Sequence, residues 1–218
     1  AFQKDSQRER LGLCLRRFFI AEQSMFILGK KVKMSQIWKG ESVIPVTIIK
    51  AEPNTVNLVR GKEKDGYEAV QLKLGTATRE FRTKDASGRK TAGAEESTFE
   101  KGATVDLGAF EEGDNVNVSG VSKGHGFMGV VHRHGFHGGP KTHGQKNRHR
   151  AGGSLGATAP QRVVPGRKMA GRQGNENVTL KNLKIAGINK EDNTILIEGA
   201  VPGARGGLIK IMRVMKKK

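Results

Sequence analysis

The sequence predicts a mainly-β protein, an antiparallel barrel or sandwich from which one long loop departs. Three observations lead there. Short apolar alternations of period two recur from residue 25 onward, separated by Gly, Asn and Asp. Ile and Val fill the alternating positions, which favours strand over helix. No helical pattern alternates with them, so a doubly wound sheet has no support.

Residues 1–24 read as an N-terminal extension, disordered or upstream of a start at Met25. Their only apolar run, residues 11–20, is interrupted by Arg16 and Arg17 and is far too short to span a bilayer, so it reads as neither signal nor anchor. Strands are expected at residues 43–50, 55–59 and 70–74, where Val70-Gln71-Leu72-Lys73-Leu74 is the cleanest alternation. Residues 83–112 show no sustained period and form an irregular insertion, with a short helix expected near residues 92–101. Further strands are expected at 114–118, 183–185, 194–197 and 208–214. Residues 119–175 hold much of the glycine and no strand alternation, and a loop of that length between strands is either functional or disordered when alone. The expected domains are therefore a β-barrel from 25–118 with 176–218, and an extension loop over 119–175.

Composition narrows the partner. Hydrophobic residues make up 35% of the 218 and aromatics 5%, so the core is modest and built from Val, Ile and Leu. The 39 Lys and Arg against 21 Asp and Glu leave +18, which points to a polyanion, with nucleic acid first and an anionic membrane surface second. The single cysteine, Cys14, can form neither an internal bridge nor a cysteine cage, which fits a reducing, intracellular location.

Where the charge sits decides more than its total. Between Asp114 and Glu176 there is no acidic residue, yet ten Lys and Arg and all six histidines fall in that interval. So much like charge with so little apolar surface cannot offset its own ordering entropy, and the segment is expected to be flexible until it meets a partner. Phosphates supply the counter-charge, glycine lets backbone approach a groove, and imidazole or guanidinium planes stack on splayed bases. The alternative, a solvated basic loop without a target, sits poorly with so long a stretch free of acids.

Rival chemistries find little support. Residues 124–129, Gly-His-Gly-Phe-Met-Gly, satisfy the dinucleotide fingerprint, but that fingerprint requires a following helix and an acidic residue about twenty positions on, and neither is expected here. No GxxxxGK[ST] phosphate loop occurs. His132, His134, His137 and His143 lack the Cys, Asp or Glu partners of an ordinary zinc site. No carboxylate stands near enough in sequence to orient a catalytic base, so an enzyme acting on RNA through histidine acid–base chemistry is the weaker hypothesis. Trp38 and Tyr67 sit in strand-like sequence and are expected in the core or at a barrel rim.

Residues 122–131, Ser-Lys-Gly-His-Gly-Phe-Met-Gly-Val-Val, followed by His134-Gly135-Phe136 and Gly138-Gly139-Pro140, carry a family resemblance. Further motifs follow in order at His143-Gly144, residues 153–156, residues 166–171, Gly174-Asn175-Glu176, residues 199–203 and Gly206-Gly207-Leu208. With Gly29-Lys30-Lys31, Met34-Ser35 and Pro45-Val46-Thr47 near the start, the chain resembles the family of the third large-subunit ribosomal protein, of bacterial or organellar type, from residue 25 to 215.

The resemblance implies a six-stranded translation-protein-type barrel with a long basic central loop running into large-subunit ribosomal RNA toward the peptidyl transferase centre. It implies early binding in assembly, contacts with neighbouring ribosomal proteins, a place in the cytoplasmic or an organellar ribosome, and no catalysis, cofactor, metal, membrane or small-molecule substrate. Lys33 stands where the family has Gly, so the first strand is expected to turn differently there. Ala159-Pro160-Gln161 replaces the family's Thr-Pro-Gly run, and the methylated glutamine of some members is not carried to Gln161. Charge and resemblance together assign Lys123, Arg133, Lys141, Lys146, Arg148, Arg150, Arg162, Arg167, Lys168 and Arg172 to phosphates, and His125, His134, His143 and His149 to grooves or bases.

Overall fold

A computed structural model describes residues 26–82 and 99–214. The extension at 1–24 lies outside the described residues, as does most of the helix expected at 92–101, whose described part, 99–101, is not helical. Along the chain run β1 (Phe26–Lys39), β2 (Ser42–Lys50), β3 (Asn54–Arg60), the one-turn helix α1 (Lys62–Asp65), β4 (Ala69–Leu74), β5 (Ala77–Arg82) and β6 (Thr104–Val105). A 3-10 turn at Leu107–Ala109 precedes β7 (Asn115–Val121), β8 (Gly126–Met128), the short helix α2 (Val130–His134) and β9 (Gly171–Gln173). The chain closes with β10 (Asn177–Asn189), β11 (Thr194–Glu198) and β12 (Leu208–Arg213). The mainly-β expectation holds, and all seven expected strands overlap observed ones.

Six strands form a closed barrel in the order β1-β12-β7-β10-β11-β2. Alternation explains the closure: Ile27 on β1, Ile49 on β2, Val116 and Val118 on β7, Ile195 and Ile197 on β11, and Ile209 and Ile211 on β12 all point into one core. Each fully buried aliphatic chain contributes about 1.5–3 kcal/mol. Gly29 is required by the same packing, because a Cβ there would stand 2.6 Å from the Cγ2 of Ile49. The barrel strands bend at two irregularities, one between Lys31 and Lys33 and one between Ile185 and Gly187. The first falls at the residue where the sequence suggested a different turn.

The outward faces of β1 and β12 are not left to solvent. Phe26 and Leu28 join Val56, Val70, Leu72, Leu74, Phe81 and Val105 in a second core, with Leu208 and Met212 packed against it. The partners of Phe26 and Leu28 there come from a separate four-stranded sheet ordered β5-β4-β3-β6. The cleanest alternation in the sequence, residues 70–74, therefore builds this sheet and not the barrel, and part of the interval read as an irregular insertion supplies its edge strand β6. Phe26 stacks on Phe81 with centroids 4.5 Å apart, and the buried Asn54 donates from Nδ2 to the Leu28 carbonyl at 3.1 Å.

Neither singled-out aromatic enters a core. Trp38 is 71% exposed near the end of β1. Tyr67 lies in a bend after α1, with the guanidinium carbons of Arg60 and Arg82 at 5.8 and 5.0 Å from its ring centre. The chain divides into two compact units, one running through Val121 and resuming at Val178, the other Ser122–Asn177.

Candidate nucleic-acid interface

The unit Ser122–Asn177 begins and ends on one short ladder. The Ser122 N–H donates to the Glu176 carbonyl at 2.9 Å, the Glu176 N–H to Ser122 Oγ at 3.2 Å, and the His125 N–H to the Gln173 carbonyl at 2.9 Å. β8 and β9 then pair antiparallel, with Phe127 opposite Arg172. Gly174, at φ +77°, is pressed against the Lys123 carbonyl where a Cβ would overlap it, so glycine is needed twice over at this crossing.

Beyond the ladder, α2 is a single turn closed by Gly135 in the left-handed region, whose N–H donates to the Val131 carbonyl. Three basic side chains on and beyond it hold the chain to itself. Arg133 Nη1 donates to the Met169 carbonyl at 3.0 Å, His134 Nε2 lies 3.1 Å from the same oxygen, and Arg167 Nη2 donates to the Ser154 carbonyl at 2.6 Å. His132 Nδ1 lies 2.9 Å from Gln173 Oε1. Further out the Gly139 N–H donates to the His149 carbonyl at 2.9 Å, and Gly138 packs so closely there that a Cβ would overlap that carbonyl. A cleft of about 890 Å³ opens beside this crossing, lined by Phe136, Pro140, Arg148 and backbone of the flanking glycines.

The fourteen expected contact residues thus divide. Arg133, His134 and Arg167 direct hydrogen bonds to carbonyls of their own unit. Lys123, His125, Lys141, His143, Lys146, Arg148, His149, Arg150, Arg162, Lys168 and Arg172 are exposed, and none makes a side-chain hydrogen bond or ion pair with another described residue. His125 does approach His132, ring centres 6.3 Å apart. No hydrophobic side chain of this unit is buried, and Phe127 (77%), Leu155 and Val164 stand exposed. Phe127 escaped the sequence reading, although an aromatic in an alternating Gly-Phe-Met strand opposite an arginine carries the signal of a stacking surface.

The structure overturns the expectation that no helix follows the rival fingerprint. A helix does follow Gly-His-Gly-Phe-Met-Gly, since Gly129 is the N-cap of α2. It is five residues long and no acidic residue follows before Glu176, so the ribose-holding half of the motif is still missing. Among the described residues no group of three or more His, Cys, Asp or Glu gathers at metal-binding distance. No described helix is long and apolar enough to cross a membrane.

Among the described residues every buried hydrophobic lies in the barrel unit, and the second unit carries cations and imidazoles without a core. The family model for ribosomal protein L3 matches residues 80–200. The large ribosomal subunit protein uL3 of Herpetosiphon aurantiacus is 48% identical over 205 residues, covering 87% of this chain and 96% of the relative. Those of Corynebacterium jeikeium and Chlorobaculum tepidum are each 43% identical, covering 87% of this chain and 94% and 99% of their own lengths. The chain belongs to the ribosomal protein L3 family.

Proposed function

We propose that this chain is a structural constituent of the large ribosomal subunit, located on the cytoplasmic ribosome, that binds large-subunit ribosomal RNA and nucleates its assembly. The barrel, of translation-protein type, anchors the chain, and the expected loop 119–175, here the unit Ser122–Asn177, extends into folded RNA toward the peptidyl transferase centre. Neighbouring large-subunit proteins are its other partners. It is not an enzyme and uses no cofactor.

One observation carries this reading: eleven exposed basic or imidazole side chains, none with a side-chain hydrogen bond or ion pair to another described residue, stand on a unit that has no buried hydrophobic residue and no acid from 115 to 175. Phosphodiester strands supply both the counter-charge and the surface such a unit lacks. Phosphate contacts position a protein without reading sequence, so selectivity comes from fit to the folded RNA.

If about five of these side chains neutralise phosphates, log affinity for a large-subunit RNA fragment falls with log salt at a slope of roughly −4. A slope near zero contradicts the reading. Retention on large subunits through a high-salt wash separates a resident protein from a free RNA-binding module. Multiple-turnover RNA cleavage lost on His134→Ala would favour an RNA-processing enzyme instead.

A further inference from the structure

Outside the basic unit, the most exposed large apolar side chain among the described residues is Trp38. Its setting is a bare ribbon. β1 pairs with β12 only through Lys30, and β2 pairs with β11 only as far back as Val46. β1 has no partner but β2 from the Lys33–Ile48 pair onward, and from the Ile37–Ile44 pair to the Lys39–Ser42 pair the two strands are laddered only to each other. Side chains alternate across such a ribbon, and the register places Met34, Gln36 and Trp38 on the same side as Thr47, Pro45 and Val43. Met34 is 49% exposed, Trp38 71% and Val43 43%.

We propose that this face, centred on Trp38, is a stacking site for an unpaired nucleotide of RNA, a contact separate from the basic unit. The indole offers a flat π-surface at low entropy cost, Met34, Pro45 and Val43 extend it, and the Gln36 amide lies on the same side to meet a base edge. Lys33 and Lys39 leave from the opposite side, and neither has an ion-pair partner among the described residues. Glu41 in the turn is the only carboxylate between residues 26 and 50. This charge is complementary to the phosphates flanking a stacked base. A protein groove fits less well, because lysine is depleted from interface cores, and three exposed apolar side chains fall far below the roughly 800 Å² a partner buries in a stable complex. The proposal rests on the RNA-binding reading only for its choice of polymer.

Trp38 is the only tryptophan of the chain, so tryptophan emission reports this site alone. The full chain is titrated with transcribed bacterial large-subunit ribosomal RNA, and emission and affinity are followed together. Stacking predicts saturable quenching, an affinity about ten-fold weaker or more in Trp38→Ala, and near wild-type affinity in Trp38→Phe. The salt slope stays the same in both variants, since no phosphate contact is removed. In the triple variant Lys146→Ala, Arg148→Ala, Arg150→Ala the quench requires more RNA but reaches the same amplitude.

Unquenched emission with full affinity in Trp38→Ala overturns the site and leaves the basic-unit reading standing. A blue shift that appears only when total large-subunit proteins are added overturns it in favour of a protein partner. Failure of the wild-type chain to bind the RNA removes both readings together.

Discussion

The barrel unit buries Ile27, Ile49, Val116, Val118, Ile195, Ile197, Ile209 and Ile211 around one centre, whereas the basic unit buries no hydrophobic side chain. Ordering a residue costs about 1–2 kcal/mol of backbone entropy in either place. The barrel offsets that cost with apolar area. The basic unit has backbone crossings and a few side-chain hydrogen bonds, those of Ser122, His132, Arg133, His134, Ser154 and Arg167 among them. Charge follows the same division: the ion pairs Lys50–Glu52, Arg60–Asp65, Arg60–Glu80 and Asp114–Arg213 all lie in the barrel unit, while the basic unit has no acid to pair with until Glu176. One unit is completed by its own side chains, and on the proposed function the other is completed by RNA.

The largest test of this contrast removes part of the barrel core. Ile197 is fully buried, and Ile197→Ala is expected to cost about 2–5 kcal/mol, read as a lowered denaturant midpoint. Under conditions where the variant is folded, its salt slope on RNA stays that of the wild type. A collapse of the slope would mean that the basic side chains depend on the barrel core for more than anchorage.

The contrast was only half legible in the residues. Alternation at 70–74 revealed a strand, but which of two sheets it joins is set by pairing with residues 55–60 and 77–82, and period two carries no such information. β1 is only partly legible, as strand-like sequence around Trp38 and through family likeness at its start, because Gly29, Lys30, Lys31 and Lys33 break its alternation. The structure shows why: Gly29 makes room for Ile49, Lys31 Nζ reaches the carbonyls of Val201 and Gly203, and a register shift precedes Lys33. For Trp38 the sequence leaves core and barrel rim open, because alternation assigns a face without saying whether anything covers it.

In the basic unit the absence of acids was readable at once, yet it treated all fourteen residues alike. The hydrogen bonds that set Arg133, His134 and Arg167 apart join positions 36, 35 and 13 residues distant. Comparing two arginines sharpens that point. Arg148→Ala removes an unpaired exposed cation, and the expected result is a salt slope shallower by about 0.7–0.9 with an unchanged denaturant midpoint. Arg133→Ala instead frees the Met169 carbonyl, a charge-assisted bond worth about 1.5–3 kcal/mol, so affinity falls while the slope holds. Equal slope changes in both variants would show that Arg133 also meets phosphate in the complex.

The smallest effect is expected at the carboxylate that precedes the acid-free stretch. Asp114 is the last carboxylate before the acid-free stretch, and a negative charge there would repel an approaching phosphate if it stood bare. It does not. Oδ1 lies 3.0 Å from Nη2 of Arg213, Oδ2 accepts the Glu111 N–H at 3.0 Å, and both members of the pair are largely shielded, at 16% and 26% exposure. Asp114→Asn is therefore expected to lower stability by no more than about 1 kcal/mol, with little dependence on salt because a shielded pair is weakly screened. RNA affinity is expected to rise slightly, because losing the anion and unmasking Arg213 both favour phosphate. A marked gain in affinity, together with a steeper salt slope, would show that Arg213 had become a phosphate ligand.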